Sequence, residues 1–170
     1  MKTIITTTLI ILFSAFTIIA QESIELSFYV DGKLLLTEDD YGNTPPTFNT
    51  VTRVELQGYD TKLGFVTIPV SFEYADLSGG RYIRYAAGAG FTFNTIKRLY
   101  ISPAINYGRI VRFGGVYSSF EGVLAISYRI TPKIKISLLG SITKRADLYF
   151  QWGTKVWREN FYGGLTYKIM

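Results

Sequence analysis

The chain has 170 residues, the usual length of one domain, with 16% aromatic residues, 18% charged residues and a net charge of +5. It contains neither cysteine nor histidine, which excludes disulfide frameworks, thiolate metal sites and histidine-based catalysis. The modest charge, without runs of lysine or arginine, gives no indication of nucleic-acid binding, so we expect no nucleic-acid partner.

The N-terminus has the layout of a secretory signal peptide. "MKTIITTTLIILFSAFTIIA", residues 1–20, carries a cation at Lys2, continues as an uncharged apolar stretch and ends on the small residue Ala20. We expect cleavage after Ala20, which leaves residues 21–170 as the mature domain. A membrane anchor is the alternative, but the apolar part is short and no basic stop-transfer cluster follows it.

The mature chain alternates apolar and polar side chains in about eight segments and contains no convincing helix. The first five cover about residues 23–36, 51–59, 65–75, 81–94 and 98–111. The sixth ends near Ile130, the seventh follows Pro132, and the eighth follows a longer loop at 146–157. Even spacing of short alternating strands indicates a β-sandwich or a β-barrel.

The composition of the two faces indicates which one meets water. One face carries large Ile, Leu, Phe and Tyr side chains, whereas the other is mostly Gly, Ala, Ser, Thr and Asn. A solvated face would be rich in long charged residues, whereas small residues suit the crowded interior of an eight-stranded barrel. The pattern therefore predicts an all-β fold, an eight-stranded antiparallel up-and-down transmembrane β-barrel with its apolar face in lipid.

Two further features agree with a barrel in a membrane. Aromatic residues fall near the strand ends, where interface girdles lie: Tyr74, Tyr82, Phe91, Phe93, Tyr107, Phe120, Tyr128, Phe161 and Tyr167. With both termini in the periplasm, "YDTKLG", "NTIK" and "TPK" become short periplasmic turns, and the remaining connections become extracellular loops.

Four stretches resemble the small outer-membrane β-barrel families, the OmpA-like and OmpX-like barrels and especially the PorT-like barrels of Bacteroidota. They are "VTIPVSFEY" (66–74), "YAAGAGFTFN" (85–94), "SYRITPKIKIS" (127–137) and "YGGLTYKIM" (162–170). The last stretch also resembles the signal that barrel-assembly machinery reads, with Gly164, Tyr167 and Ile169 at its spaced positions. The resemblance implies the outer membrane of a Gram-negative bacterium, with outer-membrane lipid, the assembly machinery and other envelope proteins as partners.

Eight charged residues fall on the predicted inward face: Glu25, Arg53, Glu55, Glu73, Arg84, Glu121, Arg129 and Lys135. They would form either an ion-pair network that satisfies buried charges, or a charged pore lining or acid/base pair. We favour the network, because the lumen of so small a barrel is normally filled.

Enzyme activity is not expected. Outer-membrane barrels that cleave lipids or peptides resemble one another in placing a histidine beside a serine or aspartate, and this chain has no histidine. The acidic stretch "EDDYG" (38–42) fits no complete calcium loop. We therefore expect no catalytic site, no metal site and no cofactor.

Two long loops contain the candidates for partner recognition. Tyr41 lies in the loop at 37–50, and Tyr149, Trp152 and Trp157 lie in "DLYFQWGTKVW" (147–157). Exposed Trp and Tyr suit binding of a partner, since these residues dominate interface hot spots. Alternatively, the last three extend the flanking strands past the lipid and form the outer aromatic girdle.

The sequence therefore predicts a non-catalytic outer-membrane barrel with a filled polar interior. It would act through its surface loops in adhesion, envelope integrity or a secretion assembly. One alternative is a narrow porin-like channel for small solutes, with selectivity set by the inward charges. Another is a soluble exported β-barrel that binds an apolar ligand in its core.

Overall fold

The computed structural model describes residues 23–39, 42–153 and 157–170, without the side chains of Thr95, Gln151 and Trp152. The predicted signal peptide at 1–20 and the binding candidate Tyr41 lie outside the described residues. Within them are two short helices, α1 (Gly32–Leu36) and α2 (Ala146–Trp152). The strands are β1 (Ser23–Asp31), β2 (Asn49–Asp60), β3 (Gly64–Leu77), β4 (Gly80–Ile96), β5 (Leu99–Arg112), β6 (Gly115–Arg129), β7 (Ile134–Lys144) and β8 (Trp157–Lys168).

The eight strands form one closed antiparallel barrel. Each strand pairs with the next along the chain, and β8 pairs with β1 in a register that runs from Glu25 opposite Lys168 to Asp31 opposite Tyr162. Closure leaves no unpaired strand edge. The predicted eight-stranded up-and-down topology is confirmed.

The two ends of the barrel differ. Short turns at 61–63, 97–98 and 130–133 lie at the end that also holds Ser23 and Lys168, which we call the turn end. The opposite end, which we call the loop end, contains the connections at 32–48 and 145–156 and two short hairpin turns. Helices α1 and α2 both lie at the loop end.

Strand alternation separates a polar interior from an apolar exterior. In β6, Glu121 and Ser127 are buried, whereas Leu124 and Tyr128 are 47% and 51% exposed. The other strands follow the same rule, so large apolar side chains cover the outside, as the sequence predicts. An exterior of this kind is stable only against lipid or another apolar surface.

The prediction that the chain has no helix is wrong. The Oδ1 atom of Asp31 accepts hydrogen bonds from the backbone N–H groups of Lys33 and Leu34, at 2.9 and 3.1 Å. This N-cap starts α1 directly after β1, so the strand predicted over 23–36 ends at residue 31. Leu34 continues the apolar phase of that predicted strand, which would face lipid, but it is buried at 2% exposure.

The second helix lies inside the loop predicted at 146–157. It ends at Gly153, which has a left-handed backbone with φ of 62° and donates its N–H to the carbonyl of Tyr149 at 2.9 Å. Among the described residues, no helix is long and apolar enough to cross a membrane.

Candidate functional site

Arg84 links two buried carboxylates in the lumen. Its Nη2 donates to Oε2 of Glu121 at 3.0 Å, and its Nη1 lies 3.9 Å from Oε2 of Glu73. Its Nε donates to the hydroxyl of Ser119 at 3.0 Å. Because a buried carboxylate without a partner is strongly destabilising, the contacts of Arg84 with both acids stabilise the barrel.

Glu73 accepts hydrogen bonds from two tyrosines. The hydroxyl of Tyr162 donates to Oε1 at 2.9 Å, and that of Tyr82 donates to Oε2 at 3.1 Å. Both rings are 1% exposed, so the assignment of Tyr82 to the lipid-facing girdle is wrong. The strand alternation itself, which puts Tyr82 in phase with Arg84, indicates the inward position. Sequence reasoning missed both tyrosines as partners of a lumen carboxylate.

Seven of the eight predicted lumen charges form ion pairs. Besides the Arg84 group, Lys135 donates to both oxygens of Glu25, and Nε of Arg53 lies 2.6 Å from Oε1 of Glu55. The Nε–H of Arg53 is not aligned with that oxygen, so this contact is an ion pair without a hydrogen bond.

Arg129 differs from the other seven. It lies half-buried near the turn end, with its guanidinium carbon 5.6 Å from the ring centre of Tyr100. No carboxylate of the described residues lies within 4 Å of its nitrogens.

A second charge cluster at the loop end was not predicted. Arg145 donates from Nε and Nη2 to the two carboxylate oxygens of Asp147, at 2.8 and 2.7 Å, and Nη1 of Arg112 lies 3.3 Å from Oδ2. Burial opposes the charged form of Asp147 most strongly. The hydrogen bonds and charge of the two arginines outweigh it and hold the pKa of Asp147 below its usual value. The cluster anchors α2 to β5.

Helix α1 and the segment after it fold over the loop end. Leu34 packs in a buried cluster with Leu77, Tyr82 and Ile110. Asp39 pairs with Arg158 of β8, and the side-chain oxygen of Asn43 accepts the backbone N–H of Ser78. The first long loop is therefore attached to the barrel at three separate places.

Three aromatic residues form what we call the loop-end aromatic cluster: the exposed Tyr149 and Phe150 on α2, and the partly buried Tyr117 on β6. The ring centres of Tyr117 and Phe150 are 5.3 Å apart, and those of Tyr149 and Phe150 are 6.0 Å apart. Tyr149 and Phe150 are 56% and 72% exposed. Phe150 was missed as a candidate, although it stands beside Tyr149 in the aromatic-rich loop that the sequence analysis singled out.

The two tryptophan candidates have different placements. Trp157 opens β8 opposite Lys144 and is 52% exposed on the outward face, which is the position that the girdle alternative requires. Trp152 ends α2, and its side chain lies outside the described residues. A role of either tryptophan in partner binding stays a prediction.

The proposed assembly-signal residues lie on β8 and just after it. Tyr167 and Ile169 are 46% and 48% exposed on the outside. Gly164 faces the lumen beside Tyr29, where an added Cβ would lie 2.3 Å from the carbonyl oxygen of Phe28. Gly164 therefore has a packing reason to be glycine, independent of recognition.

The lumen leaves little free space between these groups. A cavity of about 10 Å³ lies among Glu25, Tyr29, Ser102 and their neighbours, which is room for about one water molecule. A wider vestibule of about 220 Å³ opens at the turn end. Among the described residues, no group of three or more potential ligand side chains could hold a metal ion.

Comparison with known proteins supports a membrane barrel. No family model and no curated protein matches the chain. The bilayer-nanodisc structure of the outer membrane protein Ail of Yersinia pestis is similar, with a TM-score of 0.53 and 16% identity over 86% of this chain and 99% of that chain. The crystal structure of Ail, the attachment invasion locus protein, gives a TM-score of 0.50 and 12% identity over 86% and 97%.

A de novo designed transmembrane β-barrel is also similar, with a TM-score of 0.52 and 13% identity over 86% of this chain and 95% of that chain. These likenesses concern the fold. Together with the polar interior and apolar exterior, they define the chain as an eight-stranded transmembrane β-barrel.

Proposed function

We propose that this chain is a non-catalytic barrel of the Gram-negative outer membrane that acts by contact between its loop end and a partner at the cell surface. The observation that carries the proposal is the loop-end aromatic cluster. Tyr149 and Phe150 are exposed on a helix whose base is fixed by the Asp147 ion pairs. A rigid exposed aromatic pair loses little conformational entropy on binding, which favours a hot spot.

The orientation of the barrel supports contact with the outside. Outer-membrane barrels have short periplasmic turns and longer extracellular loops, with an even number of strands. The turn end and the loop end of this chain differ in that way. The similar barrel Ail is named for attachment and invasion. We propose the same kind of contact here. Contact within a secretion assembly or for envelope integrity would use the same loop end.

The lumen favours this proposal over a narrow channel. Its carboxylates pair with cations and hydroxyl donors, and the cavity of about 10 Å³ beside Glu25 has room for about one water molecule. A soluble barrel that binds an apolar ligand would need an apolar interior, whereas this interior is lined mainly by serine, threonine and charged residues. The paired carboxylates act as structural groups and not as acid/base catalysts.

Photo-crosslinking in the native outer membrane tests the proposal. A photoreactive phenylalanine analogue replaces Tyr149, and the matched control replaces Ile136, which is 50% exposed on the lipid-facing side. We expect a discrete crosslinked partner from position 149 that disappears in the Phe150→Ser variant. Identical products from both positions, or a partner that survives Phe150→Ser, would refute a role for the aromatic cluster.

A further inference from the structure

A groove of about 350 Å³ at the turn end is lined, among the described residues, by three cations and no carboxylate. Its walls are Lys97 and Arg98 of the β4–β5 turn, Arg129 at the end of β6, and the β6–β7 turn from Ile130 to Pro132. The backbone N–H of Arg129 donates to the carbonyl of Arg98 at 2.8 Å, so the two turns are held together. We call this feature the basic groove.

The positive charge continues into the neighbouring vestibule. Arg129 lines both cavities, and the vestibule adds Lys135 and Lys168 together with the carboxylates of Glu25 and Asp60. Within the part of the chain that the structure describes, five cations and two carboxylates therefore line the two cavities, a net charge of +3. The Glu25 carboxylate is paired with Lys135, so it does not neutralise the cations of the groove.

The groove lies where the apolar exterior ends. Ile96 and Ile130, which flank the two turns, are 58% and 50% exposed on the outside of the barrel. A surface that changes from apolar side chains to cations matches the two parts of a phospholipid. The acyl chains would lie beside the apolar side chains, and the phosphate would lie beside the cations. Guanidinium and ammonium groups are the side chains that bind phosphate oxygens best.

We propose that the basic groove binds the phosphate of an anionic phospholipid in the periplasmic leaflet. Arg98 and Arg129 donate to the phosphate oxygens, and Lys97 adds positive charge. This inference rests on the proposed placement of the turn end at the periplasmic side. It accounts for Arg129, which lies among the lumen charges in the sequence pattern and has no carboxylate partner within 4 Å among the described residues.

The test uses the mature barrel refolded in zwitterionic micelles, with folding checked by the heat-shifted band on a gel. Native mass spectrometry then measures retention of added phosphatidylglycerol, with phosphatidylcholine and inorganic phosphate as comparison probes. The test variant is Lys97→Gln with Arg98→Asn. Asparagine is chosen because Arg98 has a positive φ of 68°, a conformation that asparagine tolerates. The control is Arg81→Gln, an exposed cation at the loop end.

We expect the double variant to lose about thirtyfold in phosphatidylglycerol affinity, whereas Arg81→Gln loses little. Equal binding by the double variant, or equal losses in both variants, would overturn the inference. Binding of inorganic phosphate with no preference for phosphatidylglycerol over phosphatidylcholine would mean an anion site without lipid, which also overturns it. Loop-end crosslinking does not depend on this groove, so failure of the lipid test leaves the proposed function standing.

Discussion

The ammonium group of Lys135 donates to both carboxylate oxygens of Glu25, at 2.6 and 2.8 Å, although 110 residues separate the two in the chain. Lys135 lies on β7 and Glu25 lies on β1, with β8 between these strands in the sheet. The contact therefore reaches past a strand through the lumen. It pairs two charges that are both buried on the inner face.

Removing the cation of this pair should destabilise the barrel. Lys135→Met leaves the Glu25 carboxylate buried without its partner, and breaking a buried pair in this way costs about 3–5 kcal/mol. Adding Glu25→Gln removes the unpaired charge, so the double variant should recover most of the loss. Urea unfolding from lipid vesicles measures both free energies. A single variant as stable as the wild type would mean that water from the vestibule replaces Lys135.

Low pH should release α2 from the barrel. The pKa of Asp147 is lowered below its usual 3.8, so its ion pairs stabilise the folded loop end fully above that value. The stabilisation is lost as the pH falls through the lowered pKa, because the protonated acid no longer neutralises Arg145 and Arg112. We expect the tryptophan emission to change below pH 3.8, because Trp152 ends α2. In Asp147→Asn the emission should not depend on pH in this range, and an acid transition retained by that variant would assign it to another group.

Two adjacent glycines of β8 should respond differently to alanine. At Gly164 a Cβ would lie 2.3 Å from the carbonyl oxygen of Phe28, whereas at Gly163 nothing lies within 4 Å. Gly164→Ala should cost about 1–3 kcal/mol through overpacking, and Gly163→Ala should be neutral or stabilising. Refolding of the purified chain without assembly machinery decides the cause. If Gly164→Ala refolds normally there but assembles poorly in cells, Gly164 acts through recognition and not through packing.

The closure of the loop end by α1 should depend on one leucine. Leu34 is 2% exposed and Leu36 is 76% exposed on the same short helix. Leu34→Ala should cost about 2–5 kcal/mol of local stability, whereas Leu36→Ala should stay within about 0.5 kcal/mol of the wild type. The loss should appear as faster protease cleavage in the segment at 37–50 with the barrel still intact. Equal cleavage rates in the two variants would contradict the anchoring role of Leu34.

The strands could be predicted because apolar and polar side chains alternate at every second residue from β2 to β8, with the large apolar residues on one face. The first predicted strand was too long at its C-terminal end, because Lys33 and Leu34 continue the alternation of polar and apolar residues. The change to a helix depends on the Asp31 carboxylate meeting two backbone N–H groups. A side-chain cap of that kind competes with backbone hydrogen bonding between strands over a few residues. The alternation of apolar and polar residues does not reveal which of the two forms.

The inward charges could be identified from strand phase, but their partners could not. Register between distant strands decides that Arg84 reaches Glu121 at 3.0 Å, while Arg129 meets the Tyr100 ring instead. The Asp147 cluster was missed because it joins a loop helix to the end of β5. Loop conformation carries no periodic signal, so only the structure brings Arg112 near Asp147.

Cysteine labelling on intact cells determines which end of the barrel faces the outside. The chain has no cysteine of its own, so each introduced thiol is unique. Phe150→Cys marks the loop end, and Lys133→Cys marks an exposed position at the turn end. We expect a membrane-impermeant maleimide to label Phe150→Cys in intact cells and to label Lys133→Cys only after the cells are broken, because the loop end faces the outside. Labelling of Lys133→Cys in intact cells, with Phe150→Cys protected, would contradict it.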